Sequence, residues 1–384
     1  MNRKDIETQP SASSVIKKVR SSNLELFRII SMLLIIAHHY VVNSGLIDAD
    51  GPIYLQPLSI KSFLVLLLGA WGKTGINCFM MITGYFMCKS NITLKKYAKL
   101  VIEVFFYRIV IYAIAVCTGL QAFSLSSLVQ NLLIVKNIQQ NFTGCFLVFY
   151  LFIPFLTIVV KNLNEKQHIR LLVLLGFTYV LFGTLPKFKV DMNYVSWFAV
   201  IYFIASYIRL YPHKSFSSKK LWGVVMAVCV FLSAASVICC TWLSFRLNNR
   251  MAYFFVSDSN NTLAVLTGVA SFMFFKNLSI SYSKLINTLG ASTFGVLLIH
   301  TNDNIRDWLW NNLLKNTEVY NENYIYIHAA ASVIGIFTIC TIIDVLRIRF
   351  IESPVMKFLD KKYESIKQWY ELTENKLFNK LNVK

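Results

Sequence analysis

Charged side chains are scarce in this chain. They make up 15% of its 384 residues, against 56% hydrophobic, and the mean hydropathy is +0.54. A soluble domain of this length needs far more polar surface, so a soluble fold is excluded. Acidic residues are the scarcest charged class, 19 against 38 Lys and Arg, which leaves a net charge of +19. In a soluble chain that excess would point to nucleic acid; here cytoplasmic loops explain it better, and no nucleic-acid partner is expected. The eight cysteines lie mostly inside apolar runs (Cys78, Cys117, Cys145, Cys229, Cys239, Cys240, Cys340), without a CxxC pair or a His/Cys spacing. That pattern argues against a metal site and reads as small buried hydrophobes. Internal repeats and low-complexity tracts are missing too. No cleavable leader is expected, since residues 1–22 are polar and basic and the first apolar run is long enough to span.

What fills the chain is apolar stretches, many near the ~20 residues that cross a bilayer. Spans are expected near 24–43, 62–87, 97–119, 142–160, 169–185, 193–211, 221–243, 262–275, 285–300 and 326–350. The 62–87 stretch carries Gly69, Gly72, Lys73 and Gly75, and its first half is expected along the membrane surface. The stretches 262–275 and 285–300 are short enough to be thin, tilted or broken. With the N-terminus inside, the inner segments hold 27 Lys and Arg and the outer loops 8. The expectation is therefore an all-α integral membrane protein, a bundle of about ten transmembrane helices with both termini cytoplasmic. Its parts are a basic cytoplasmic segment (1–22), a transmembrane domain (23–354) and a charged, mildly amphipathic cytoplasmic tail (355–384). Tyr363, Ile366, Trp369, Tyr370, Leu377 and Phe378 on that tail suit a helix resting on anionic lipid. The longest expected outer loop, 301–325, has 25 residues, so any chemistry belongs to the bundle itself.

Ionisable residues inside apolar spans are costly and mark sites. The first span has three on one face: Glu25, Arg28 at i+3, and His39 eleven residues beyond Arg28, about 16 Å by helix rise. His38 is turned about 100° away. A neutral imidazole can take a proton from a hydroxyl near neutral pH. The residues alone allow two accounts: a site, or a capped helix start with interfacial histidines beside Tyr40. Lys95, Lys96 and Lys99 follow the second span and are what the positive-inside rule gives on its own. Arg108 lies deeper in the third span and needs a buried partner such as Glu103, or a bound anion. His300 closes the ninth span and heads a polar loop with Asn302, Asp303, Asn304, Arg306 and Asp307. Asp344 and Arg347, at i and i+3, fit a local ion pair.

These residues together resemble the membrane acyltransferase 3 family. Glu25-Leu26-Phe27-Arg28-Ile29-Ile30-Ser31 through His39 is similar to its opening motif: an acidic residue, an arginine three later and a histidine eleven after that. The resemblance continues in Asn77 to Phe86, Tyr150 to Pro154, Ala205 to Arg209, Thr293 to His300 and Ile351-Glu352-Ser353-Pro354, and so covers most of the chain in order. The His38-His39-Tyr40 triplet resembles the branch that O-acetylates bacterial capsular polysaccharides and exopolysaccharides. Two features depart from the family: Lys96-x-x-Lys99 stands where an Arg pair is frequent, without the guanidinium fork, and Asn141 and Phe146 replace a Trp and a Tyr. No fused extracytoplasmic domain is expected.

The resemblance implies a membrane O-acetyltransferase of the bacterial cytoplasmic membrane, with no permanently bound cofactor. Acetyl-CoA would be the donor and a polysaccharide or lipid-linked oligosaccharide the acceptor. It implies catalytic roles for His39, Glu25 and Arg28, with His39 as general base or transient acyl carrier. Arg28, Lys96, Lys99 and Arg108 would bind substrate, the first three at the CoA phosphates, and His300 would contact the acceptor. Rival readings are a glycan-lipid transporter, a polymerase or ligase, and an acyltransferase using another donor such as a succinyl thioester.

Overall fold

The computed structural model describes residues 20–135, 141–188, 190 and 192–380; the basic segment before Arg20 and the side chains of Tyr363, Ile366, Leu377 and Phe378 lie outside them. Among the described residues the chain is helix, turn and loop, without a strand. Helix α1 (Ser22–Val42) leads to a single turn, α2 (Pro52–Leu55). The expected 62–87 stretch is two helices, α3 (Ile60–Leu68) and α4 (Gly72–Met87), broken at residues 69–71. Gly69 and Gly72 at this break allow close approach of α1, since a Cβ on them would crowd Val41 and His38. Helix α5 (Leu94–Cys117) starts behind Thr93, whose side chain accepts from the Lys96 N–H. A short helix, α6 (Leu125–Leu132), occupies what reads as loop in the sequence. Helix α7 (Phe142–Asn162) is capped by Asn141. An Asn164–Gln167 capping box opens α8 (Glu165–Leu175), which passes through a π-helical turn into α9 (Phe182–Thr184).

The second half holds α10 (Tyr194–Leu210), α11 (Lys219–Leu247) and α12 (Thr262–Lys276). The expected 285–300 span is broken at Ser292 into α13 (Lys284–Ala291) and α14 (Thr293–His300). After α15 (Asn316–Val319), α16 (Ile325–Arg347) runs through a π-helical turn at Ile348–Glu352 into α17 (Ser353–Lys380). Pro354 has no N–H to continue the ladder, and the widened turn just before it accommodates the gap.

Seven stretches among the described residues are long and apolar enough to cross a membrane: Ser22–Val42, Ile60–Met87, Leu94–Cys117, Phe142–Asn162, Glu165–Thr184, Lys219–Leu247 and Ile325–Lys362. Of the ten expected spans, these account for seven. The other three are α10 and α12, which are apolar but shorter, and the broken α13–α14 pair.

Helix α1 is the hub, packed against α4, α12, α13, α14 and α16. Close approach depends on small residues, as membrane helices require. A Cβ on Gly290 of α13 would lie 2.8 Å from the Glu25 Cβ and 3.0 Å from the Glu25 carbonyl oxygen. Gly290→Ala therefore pushes on α1 at Glu25, and an overpacking cost of about 1–3 kcal/mol is expected. A lower melting temperature in detergent, with weaker acyl transfer than the loss of folded protein explains, checks this.

A buried ion network ties α5 and α16 to the π-helical turn. Arg347 is 3% exposed at its side chain and reaches Asp344 at 2.9 Å, Glu352 at 2.8 Å and Glu103 at 3.0 Å. Lys99 Nζ meets Glu352 at 2.7 Å, and the Tyr107 hydroxyl donates to Asp344 at 2.7 Å. The local Asp344–Arg347 pair expected from the sequence is thus one edge of a larger cluster. Glu103, suggested above as a partner for Arg108, belongs to Arg347 instead. Arg108 donates to two backbone carbonyls, Gln130 at 2.6 Å and Leu133 at 3.0 Å, both at the C-terminal end of α6. The free carbonyls of that helix end are what the guanidinium satisfies.

Candidate active site

Helix α1 places Glu25 and Arg28 near its start and His39 near its end, on one face. At the first end, Arg28 Nη1 lies 3.1 Å and 3.3 Å from the two Glu25 carboxylate oxygens, and Arg20 lies 3.3 Å from one of them. Glu25 is buried, so its paired cations are what make its charge tolerable there.

At the other end, His39 lines a cavity of 340 Å³ together with Ile35, Val42 and Asn43 from its own helix. The remaining wall comes from the starts of α4, α7 and α10, from α6, from Val104 and Arg108 on α5, and from the end of α14 and the segment that follows it. These elements all present the same end of the bundle to His39.

The hydrogen bonds of the two histidines fix their tautomers. His300, fully buried, has Nδ1 2.6 Å from the carbonyl of Val296, one turn back in α14. A carbonyl only accepts, so Nδ1 carries the hydrogen, and in the neutral ring Nε2 keeps the lone pair. That Nε2 lies 3.0 Å from His39 Nδ1, so His39 Nδ1 is the donor in this pair. The lone pair of the neutral His39 ring is then on Nε2, on the side away from His300. In a catalytic triad a carboxylate orients the base; the partner of His39 is instead a second imidazole anchored on a backbone carbonyl.

His300 therefore stands behind His39 and holds its ring by the Nε2···Nδ1 hydrogen bond. His300→Ala leaves the His39 ring free to turn, and roughly 100-fold is expected to be lost from kcat, the scale of a small misplacement of a reacting group. His300→Gln restores an acceptor at that position and should recover most of the loss; equal damage from both variants would remove the positioning role.

His38 also borders the cavity, but its Nδ1 is taken up by the Gly69 carbonyl, to which it donates at 2.6 Å, holding α1 against the break between α3 and α4. The remaining candidates fall into two groups. Arg108 shares the His39 cavity. Lys96 and Lys99 lie in the first turns of the same helix, 12 and 9 residues before Arg108, which is about 14–18 Å away by helix rise. Lys96 Nζ donates to the Asn91 carbonyl at 2.7 Å, and Lys99 is held by Glu352. Helices α1 and α5 thus share a plan, cations at the start and the cavity about three turns further on.

The structure adds Lys73, whose Nζ donates to the Tyr194 hydroxyl at 3.1 Å and lies 3.9 Å from Asp258. A lysine directly after Gly72 in an apolar stretch was the available signal. It also adds an amide cluster in which Asn304 Nδ2 donates to Asn131 at 3.0 Å and to Asn302 at 2.8 Å. Asn131 lies on α6, in a stretch that reads as outer loop.

Residues 21–345 match the model of the acyltransferase domain family Acyl_transf_3, and the chain belongs to that family. It is a membrane acyltransferase of multi-pass helical build. No curated relative and no solved structure matches it.

Proposed function

We propose that this acyltransferase is an O-acetyltransferase that moves acetyl from cytoplasmic acetyl-CoA to a hydroxyl of a bacterial cell-surface polysaccharide, capsular or exported, or of its lipid-linked precursor. The observation that carries the reading is the His39–His300 pair, which leaves an unprotonated, oriented imidazole nitrogen on the wall of a cavity. The chain is taken to cross the membrane ten times with both ends inside, so that Arg28, Lys96 and Lys99 face the cytoplasm and the cavity faces out.

Arg28, held by Glu25, and the two lysines meet the CoA phosphates by charge-assisted hydrogen bonds. The flexible pantetheine arm carries the thioester toward His39. His39 Nε2 takes the proton of the sugar hydroxyl as its oxygen attacks the thioester carbonyl carbon. The C–S bond breaks, the CoA thiolate takes the proton back from His39, and the products are the sugar acetate and free CoA. Direct acylation of His39 followed by transfer to the sugar uses the same nitrogen.

The test offers membranes containing the protein either labelled acetyl-CoA or labelled succinyl-CoA, with the host glycan present. Alkali-labile label on the glycan from acetyl-CoA supports the reading. Label from succinyl-CoA alone reassigns the donor. Glycan movement across the membrane without label from any thioester favours a transporter, whose charged bundle would look similar.

A further inference from the structure

The chemistry assigned to His39 makes no use of the positive charge around it. Lys73, Arg108 and Arg306 line the His39 cavity, and among the described wall residues Asp303 is the one carboxylate. The three cations are only partly matched. Lys73 stands 3.9 Å from Asp258, and Arg306 is shared between Asp307 at 3.0 Å and Asp303 at 3.8 Å, all three carboxylates exposed at their side chains. The two carbonyls that hold Arg108 orient its guanidinium, and the carboxylate whose charge reaches it is the exposed Asp303 that Arg306 also shares. The remaining wall includes the aromatic rings of Phe142 and Tyr194 and the side-chain amides of Asn131 and Asn141. Rings and amides of this kind suit the faces and hydroxyls of a sugar, and 340 Å³ is within the roughly 300–1,000 Å³ of small-molecule sites.

Resting on the acyl-transfer reading, we propose that the acceptor carries an anionic group of its own, a carboxylate or a phosphate, which docks against Arg108, Lys73 and Arg306 while a neighbouring hydroxyl meets His39. The donor's phosphates do not account for these cations, because the CoA-facing set lies about 16 Å away at the other end of α1. The shared chemistry has two sources: an acidic sugar residue in the polymer, or the pyrophosphate of a lipid-linked precursor. A guanidinium or ammonium that meets such a group in a partly desolvated cavity makes charge-assisted bonds that a neutral glycan cannot replace.

The test uses membranes holding the full chain, labelled acetyl-CoA, and the host glycan in three forms: native, carboxyl-reduced and phosphate-stripped. Binding is read in parallel as the rise in melting temperature of the detergent-solubilised protein on adding each form. Loss of the anionic group should slow labelling about tenfold, the value of one charge-assisted hydrogen bond, and should weaken binding in step. Whichever treatment has the effect identifies the source. Arg306→Gln, on the exposed rim, should erase most of the difference between native and neutralised glycan. Equal labelling and binding of all three forms, or a native glycan with no ionisable group, overturns the proposal and leaves acyl transfer standing. Charge-dependent binding without label in any form sinks the acetyl-CoA reading of the donor and keeps the anionic site.

Discussion

Replacing His39 by alanine is expected to lower acyl transfer by about 10²–10⁴-fold, the contribution of a positioned general base, while the folded protein survives. His39 is only partly buried and lines a cavity, so its loss enlarges a space already open rather than hollowing out a core. His38→Ala is the informative comparison. Its ring bonds the Gly69 carbonyl and seats the α3–α4 break, so the cost should appear in stability, with a smaller effect on transfer. Turnover per folded molecule, with folding followed by size-exclusion chromatography in detergent, separates the two. If His39→Ala turns over at near wild-type rate, the base is not His39. If His38→Ala is the more damaging in turnover, the tautomer argument has selected the wrong ring.

The second large effect concerns stability. Arg347→Met removes the cation shared by Asp344, Glu352 and Glu103 and leaves three buried carboxylates with Lys99 as their remaining cation. Breaking a buried pair by deleting one partner costs about 3–5 kcal/mol, because the charge left behind stays desolvated. The space around the network is also tight: a Cβ on Gly295 would lie 2.9 Å from the Asp344 Cβ, so α14 cannot shift inward to compensate. A steep fall in melting temperature and in folded yield is expected. Lys99→Ala, at a side chain that is 48% exposed, should cost about 1 kcal/mol or less. Similar melting temperatures for wild type and Arg347→Met would show that the network is neutralised in another way, for instance by bound protons.

Much of the fold was readable because membrane spans are written locally. Length and hydropathy place α1, α5, α7, α11 and α16 within a few residues of their observed ends, and the glycines at 69 and 72 announce the break before α4. Short elements were harder. Helix α6 has no apolar run to betray it. The long tail helix α17 was expected as a helix, but its unbroken run from α16 through a π-helical turn has no simple period to announce it. At the site, the same-face spacing of Glu25, Arg28 and His39 follows from helix geometry alone. The contact of His39 with His300, 261 residues away, does not, because it depends on how α14 packs beside α1. The partner of Arg108 was missed for a related reason: backbone carbonyls at a helix end leave no trace in side-chain composition. Arg347 was seen only with its i−3 neighbour, since the local period shows neither Glu103 nor Glu352.

The most direct measurement follows labelled acetyl from acetyl-CoA onto the host glycan in matched membranes containing wild type, His39→Ala or His300→Ala at equal folded amounts. The account predicts alkali-labile label with wild type, almost none with His39→Ala, and a reduced rate with His300→Ala that His300→Gln largely restores. Undiminished label with His39→Ala would contradict it.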